Sequence, residues 1–260
     1  MGILNLTSDS FYPDSRQADT AAAVTAARAM LAAGADLIDV GAESTRPGAE
    51  PVPPDVEQER VVPVIEALRR ETDAPLTVDT YRPETARLAL DAGADAINDV
   101  TGGRQPGMLS LVAAAGRGLV LMHMQGEPRT MQADPRYADV VAEVAAWLTE
   151  RAARAEAAGI ATARLLVDPG IGFGKTAAHN LALLANLDRV SGGRGLLLGA
   201  SRKSFIARLT GAAVADRLGG SLAAAAAAHA ARATVIRVHD VAATVQFLDV
   251  LAAVERARNH

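Results

Sequence analysis

Eight short apolar runs in this chain each lead into residues that could do chemistry. Asn5 ends the first. Asp39 and Glu43 flank the end of the second, and Ser44-Thr45-Arg46-Pro47-Gly48 follows. Asp79 ends the third, Asn98-Asp99 the fourth, His123 the fifth and Asp168 the sixth. Ser201-Arg202-Lys203 follow the seventh, and Arg237 and His239 close the eighth. A single residue of this kind could simply satisfy nearby backbone groups. Polar residues at all eight ends are harder to explain as capping. They divide into two chemical groups. Asp79, Asn98 and Asp168 supply carboxylates and an amide, which suit a ligand with adjacent N–H donors, such as the amidine-like edge of a heterocycle. Arg46, Lys203, Arg237 and His239 form the cationic group. Three of these come from the last two strand ends, where many barrels bind phosphate. Helix N-termini at the same loops would add N–H donors and a positive dipole.

One further stretch, Asp168-Pro169-Gly170-Ile171-Gly172-Phe173-Gly174-Lys175, is glycine-rich and ends in lysine. It resembles a nucleotide loop, but Gly170 and Gly174 are one residue too close for the G-x-x-x-x-G-K-[ST] pattern. The favoured reading is a tight loop that lets backbone approach a flat ligand and presents Phe173 to it. Lys175 then has the task of supporting the loop.

These residues meet only if the elements beneath them converge. The apolar runs are Gly2–Leu6, Leu37–Gly41, Leu76–Asp79, Ala96–Val100, Gly118–Met122, Leu165–Asp168, Gly195–Gly199 and Thr234–Val238. They read as parallel strands, apolar on both faces. Between them lie amphipathic helical stretches, among them Ala18–Ala33, Val56–Glu71, Pro83–Ala92, Tyr137–Ala158 and Val241–Ala257. An alanine-rich helix over Leu222–Ala233 carries His229, read as a packed or interface histidine. Trp147 reads as core, and His179-Asn180 as a helix start. The phrase Ala-Gly-Ala-Asp occurs at Ala33–Asp36 and at Ala92–Asp95, as a repeated αβ loop. Eight βα units in 260 residues predict one (β/α)8 TIM barrel spanning 1–260. A doubly wound open sheet would carry a glycine-rich phosphate turn after its first strand, and Asn5-Leu6-Thr7-Ser8-Asp9 is no such turn.

Composition narrows the function classes. Half the residues are hydrophobic and 22% are charged, which excludes disorder, a collagen-like repeat and a coiled coil. A net charge of −4 argues against a generally basic nucleic-acid binder. The chain has no cysteine, so disulfides, thiolate metal sites and cysteine nucleophiles are excluded. No apolar run approaches the ~20 residues of a membrane span, and the first residues lack the features of a signal peptide. The expectation is a soluble cytoplasmic protein acting on small molecules, with neither nucleic acid nor membrane as partner.

The motifs together resemble the dihydropteroate synthases of folate biosynthesis. They are Met1–Thr7, Asp39–Gly48, Asp79-Thr80, Asn98–Val100, Leu121–Met124, Asp168–Lys175, Gly199–Ser204 and Arg237–Asp240, in family order. The resemblance implies a transferase. It condenses (7,8-dihydropterin-6-yl)methyl diphosphate with 4-aminobenzoate, giving 7,8-dihydropteroate and diphosphate. It further implies that Asp79, Asn98, Asp168 and Lys203 hold the pterin and that Met122 packs on its ring. Asn5, Arg237 and His239 would hold the diphosphate, with Mg2+ at Asn5. Thr45, Arg46, Pro47, Phe173, Lys203 and Ser204 would shape the aminobenzoate pocket. The catalytic set carried over is Lys203, Asp79, Asp168, Arg237 and His239. A homodimer through the late helices is also implied. Two alternatives share the polar floor: a barrel that transfers methyl from methyltetrahydrofolate, and a non-catalytic pterin-binding paralogue. Arg237, His239 and Ser201–Lys203 argue against the first, since it has no diphosphate to hold.

The chain departs from the family in the first loop. The family pattern T-P-D-S-F-S-D-G-G stands here as Thr7-Ser8-Asp9-Ser10-Phe11-Tyr12-Pro13-Asp14-Ser15. Pro13 replaces the second loop aspartate and stiffens the backbone. Pro13→Asp is expected to raise turnover or leave it unchanged in a steady-state assay. A large loss would show that the loop has its own working geometry.

Overall fold

A computed structural model describes residues 1–6, 16–43, 51–127 and 129–258. All eight expected runs are strands: β1 Gly2–Asn5, β2 Ile38–Gly41, β3 Leu76–Asp79, β4 Ala96–Asp99, β5 Gly118–Met122, β6 Leu165–Asp168, β7 Gly195–Leu198 and β8 Val235–Ile236. They pair in parallel in sequence order, β1 through β8. Gly2 also forms a parallel bridge with Val238, and Ile3 donates to the Val238 carbonyl at 3.0 Å. The last strand thus returns to the first, as a (β/α)8 barrel requires.

The helices are α1 Arg16–Ala32, α2 Pro54–Glu71, α3 Pro83–Asp91, α4 Met108–Ala115, α5 Val140–Ala157, α6 Ala177–Leu184, α7 Leu187–Ser191, α8 Ser204–Thr210, α9 Leu218–Ala230 and α10 Val241–Arg258. The helix expected from Tyr137 starts at Val140 instead. Asp139 is its N-cap and accepts from the N–H groups of Val141 and Ala142 at 3.0 and 3.1 Å, which sets that start. Thr176 and His179 form a capping box at α6. The alanine-rich helix begins at Leu218, earlier than expected, and His229 meets Glu255 of α10 at 2.8 Å. It links the two helices at the surface rather than in a packed interior. Trp147 is half-buried rather than core, with its ring edge-on to His123.

Strand parity sorts the side chains. Ile38, Val40, Leu76, Val78, Ile97 and Leu119 pack outward against helix residues such as Val61, Ile65 and Leu68. The inward residues Met1, Val120 and Leu197 cluster with Leu37, Leu166 and Val235 as an apolar plug inside the barrel. Side chains alternate with period two, so the residue two positions further on points inward and one layer higher. From the plug residues this step reaches Asp39, Met122, Asp168, Gly199 and Arg237. The strands are therefore apolar on both faces only in their lower half. At the opposite end of the barrel, Asp95 of the repeated Ala-Gly-Ala-Asp phrase binds Arg69 at 2.6 Å and the Leu76 N–H at 2.9 Å. That aspartate is a structural latch.

Candidate active site

The C-terminal ends of the strands open into one cavity of about 460 Å3. Asn5, Asp79, Asn98, Met122, Asp168, Phe173, Lys203, Ser204, Arg237 and His239 all line it. Ten residues chosen from sequence therefore meet in one place, although they span 5–239 of the chain. Thr45, Arg46 and Pro47 lie outside the described residues, as do Pro13, Asp14 and Ser15.

The floor is built around Asp39, which is fully buried. Its carboxylate accepts from the Thr77 hydroxyl, from Asn98 Nδ2 at 3.1 Å and from Arg237 Nε at 2.5 Å. Arg237 Nη2 reaches on to Asp79 Oδ2 at 3.0 Å. The two chemical groups expected from sequence are thus interleaved. Arg237 of the last strand end sits between the carboxylates of the second and third strands. One N–H of the Asn98 amide goes to Asp39, and its carbonyl oxygen is a further acceptor alongside Asp79 and Asp168.

Burial sets the charge states. It pushes Asp79 up to about 7, against the pull of Arg237. Burial also raises Asp168, opposed by Lys203 and by the Gly170 N–H that its Oδ1 accepts at 2.7 Å. Lys203 is lowered to about 8 by burial, opposed by Asp168. Arg237 stays firmly charged: burial works against it, and Asp39 and Asp79 outweigh that cost.

On the other side, Ser201 Oγ accepts the His239 N–H at 3.2 Å and lies 3.0 Å from His239 Nδ1. A His239 ring that accepts the Ser201 hydroxyl at Nδ1 keeps its own proton on Nε2, the tautomer an anion donor needs. Arg202 holds this corner together. It adopts a left-handed backbone (φ 55°) and grips Asp240 with two bonds of 2.7 and 2.6 Å.

The glycine-rich stretch is a tight loop, as the sequence suggested. Gly170 has φ +65°, and a side chain there would lie 1.9 Å from the His123 carbonyl oxygen. Only glycine permits that approach. Phe173 is buried against Val100, Met122, Met124 and Met131. The Lys203 ammonium sits 4.6 Å from its ring centre, a cation–π contact. Lys175 does not face the cavity. It is buried, donates to the Phe173 carbonyl at 2.9 Å and lies 2.9 Å from His123 Nδ1.

Two strand-end residues leave the site. Asp99 points away and accepts from Thr101 N, Thr101 Oγ1 and Gly103 N at 2.7, 2.7 and 2.9 Å, so it folds its own loop. His123 joins Lys175 and the edge of Trp147. Each is the odd neighbour of an inward residue, Asn98 or Met122, and strand parity turns it outward. Sequence reasoning missed Met131 and Arg217, which also line the cavity. Both sit in connections without periodicity. In the sequence Asp39 reads as one strand end among many; counting by twos from Leu37 places it inward.

The comparisons with known proteins agree with this geometry. Residues 1–239 match the family model described as pterin binding enzyme. The dihydropteroate synthase of Escherichia coli K12 is 46% identical over 261 residues, covering 100% of this chain and 93% of the relative. That of Neisseria meningitidis serogroup B is 47% identical, covering 96% of this chain and 90% of the relative. Among solved structures, Xanthomonas albilineans dihydropteroate synthase with 4-aminobenzoic acid is 49% identical, with a TM-score of 0.90. That match covers 98% of this chain and 92% of the other. The Burkholderia cenocepacia enzyme complexed with 7,8-dihydropteroate is 47% identical at a TM-score of 0.90, covering 100% and 92%. A full-length match at this identity, on a barrel whose polar mouth was already assembled from its own residues, places this chain in the dihydropteroate synthase family of pterin-binding enzymes.

Proposed function

We propose that this cavity condenses (7,8-dihydropterin-6-yl)methyl diphosphate with 4-aminobenzoate, with its residues in the following roles. The observation that carries the assignment is the three acceptors Asp79, Asn98 and Asp168 converging with Lys203 in one cavity of about 460 Å3. That size suits a bicyclic ring with a second small substrate. The acceptors take the pterin N–H edge, and Lys203 donates to the opposite edge. Met122 supplies a soft apolar face for the ring. Phe173 and Ser204, together with Thr45, Arg46 and Pro47, shape the aminobenzoate pocket.

The reaction breaks the C–O bond between the pterin methylene and diphosphate. It forms a C–N bond from the arylamine, and one amine proton leaves to solvent. The pterin ring spreads the positive charge that develops as diphosphate departs. Asp79 and Asp168, when ionised, stabilise that charge through the ring. Arg237 and His239 Nε2–H bind the departing anion. The weakly basic amine needs little base catalysis, so the residues act by placement and charge rather than as nucleophiles.

Asn5 lines the cavity mouth and is the residue that would hold Mg2+. Its amide oxygen is a hard donor of the type this ion takes. Among the described residues no group of three or more His, Asp or Glu could hold a metal. When bound, the ion adds positive charge at the leaving diphosphate.

The late helices support a homodimer. A groove of about 410 Å3 lies between α6, α8 and α9, floored by Phe205, Ile206 and Ala224, and exposes Leu181 and Leu209 at 42% and 52%. Exposed apolar surface of this kind favours association. No helix among the described residues is long and apolar enough to cross a membrane.

Three measurements follow. Lys203→Ala or Asp168→Ala is expected to abolish product formation with the circular dichroism spectrum unchanged; near-normal turnover in either would sink the site assignment. The value of kcat/KM for the pterin diphosphate should rise as pH climbs through about 7, because Asp79 must lose its proton to accept the N–H edge. It should fall above about 8, as Lys203 loses its charge. An acid limb that persists in Asp79→Asn would refute this reading. Sedimentation equilibrium should give the mass of two chains, and Leu209→Arg should shift it toward one.

A further inference from the structure

The loop that follows β6 is held in an unusual way. Four consecutive backbone carbonyls each accept from a different side chain. Ile171 accepts from Lys203 Nζ, Gly172 from Gln132 Nε2, Phe173 from Lys175 Nζ at 2.9 Å and Gly174 from the Tyr137 hydroxyl at 2.9 Å. Gln132 and Tyr137 come from the connection after β5, and Lys203 from the connection after β7. Lys175 is itself anchored on His123, just beyond the end of β5. Three neighbouring loops are therefore laced together through one strip of backbone.

This lacing goes beyond local stability in what it positions. The ring of Phe173 rises from the middle of the strip to line the cavity. Lys203 rests on the carbonyl two residues earlier, and its side chain lies against Gly172: a Cβ there would come within 3.2 Å of Lys203 Cδ. Met131, next to Gln132, is buried against the same cluster as Phe173 and also lines the cavity. Lys175 is buried, and its hydrogen bonds go to two carbonyls and an imidazole, with no carboxylate among them. Burying an ammonium in that way is costly, and burial lowers Lys175 to about 7. An apolar residue would avoid the cost but could not hold the Phe173 carbonyl.

We propose that Lys175, Gln132 and Tyr137 are positioning residues for the second substrate: they fix the backbone strip that carries Phe173, and so set the shape of the aminobenzoate pocket. The proposal rests on the assignment of Phe173 to that pocket, so the test carries its own control. Phe173→Ala, Lys175→Met, Tyr137→Phe and Gln132→Ala are compared by steady-state kinetics, with calorimetric titration of the pterin diphosphate. Phe173→Ala should raise the KM for 4-aminobenzoate. Lys175→Met and Tyr137→Phe should each raise it by about tenfold, with pterin diphosphate affinity changed by less than about twofold. Tyr137→Phe removes one hydroxyl and keeps the packed ring, so it remains informative if Lys175→Met fails to fold. If Phe173→Ala raises the KM while the bracing variants only lower the melting temperature, the bracing role is overturned and the pocket assignment stands. If Phe173→Ala itself leaves the KM unchanged, the pocket assignment fails and the proposal falls with it.

Discussion

The mouth of this barrel depends on one buried ionic junction. Arg237, from the last strand end, bonds Asp39 and Asp79 across the interior. Ionisable groups at that depth are tolerable only because they are paired and hydrogen-bonded, with Thr77 and Asn98 filling the remaining sites on Asp39. The junction orients what surrounds it. It fixes the Asn98 amide through its Nδ2 at the cavity floor, keeps the Arg237 guanidinium charged, and holds the Asp79 carboxyl at the wall of the cavity.

The same burial that makes the junction costly makes it useful. A carboxyl near 7 and an ammonium near 8 are both poised around neutral pH. Ligand N–H donors and acceptors entering the cavity supply what these groups lost when water was excluded. The site is therefore preorganised for a ligand with a donor edge and an acceptor edge, and it gains most when both are present. Beside it, the Ser201–His239 pairing and the Arg202–Asp240 clamp form a second rigid corner, built from adjacent residues on two neighbouring loops. The strained backbone at Arg202 is held by that clamp and by the bond from its N–H to Ser221 at 2.9 Å.

Rigidity in the loops comes from side chains binding backbone rather than from regular structure. Asp99 closes one loop with three bonds, Arg151 holds the Gly102 and Gly103 carbonyls at 2.7 and 2.6 Å, and four side chains hold the strip from Ile171 to Gly174. Such loops can be both irregular and fixed. That combination suits a barrel in which strand ends supply the floor of the cavity and connections supply its walls.

Much of this was legible in the amino-acid order. Eight short apolar runs alternating with amphipathic helices determine a (β/α)8 barrel, because parallel strands covered on both faces read as unbroken apolar runs and the helices between them as a 3.6-residue period. Polar residues at the strand ends marked the cavity, since every strand of such a barrel ends at the same mouth. Local spacing says nothing about partners far along the chain. That Arg237 would sit between Asp39 and Asp79, rather than apart with the cations, depends on contacts spanning 198 and 158 residues. That Asp99 and His123 turn away while Asn98 and Met122 turn in depends on strand parity, which a one-residue uncertainty in a strand reverses. The lacing of Gln132, Tyr137, Lys175 and Lys203 onto one strip of backbone was invisible for the same reason: carbonyls carry no sequence label, and only the packed barrel brings their donors within reach.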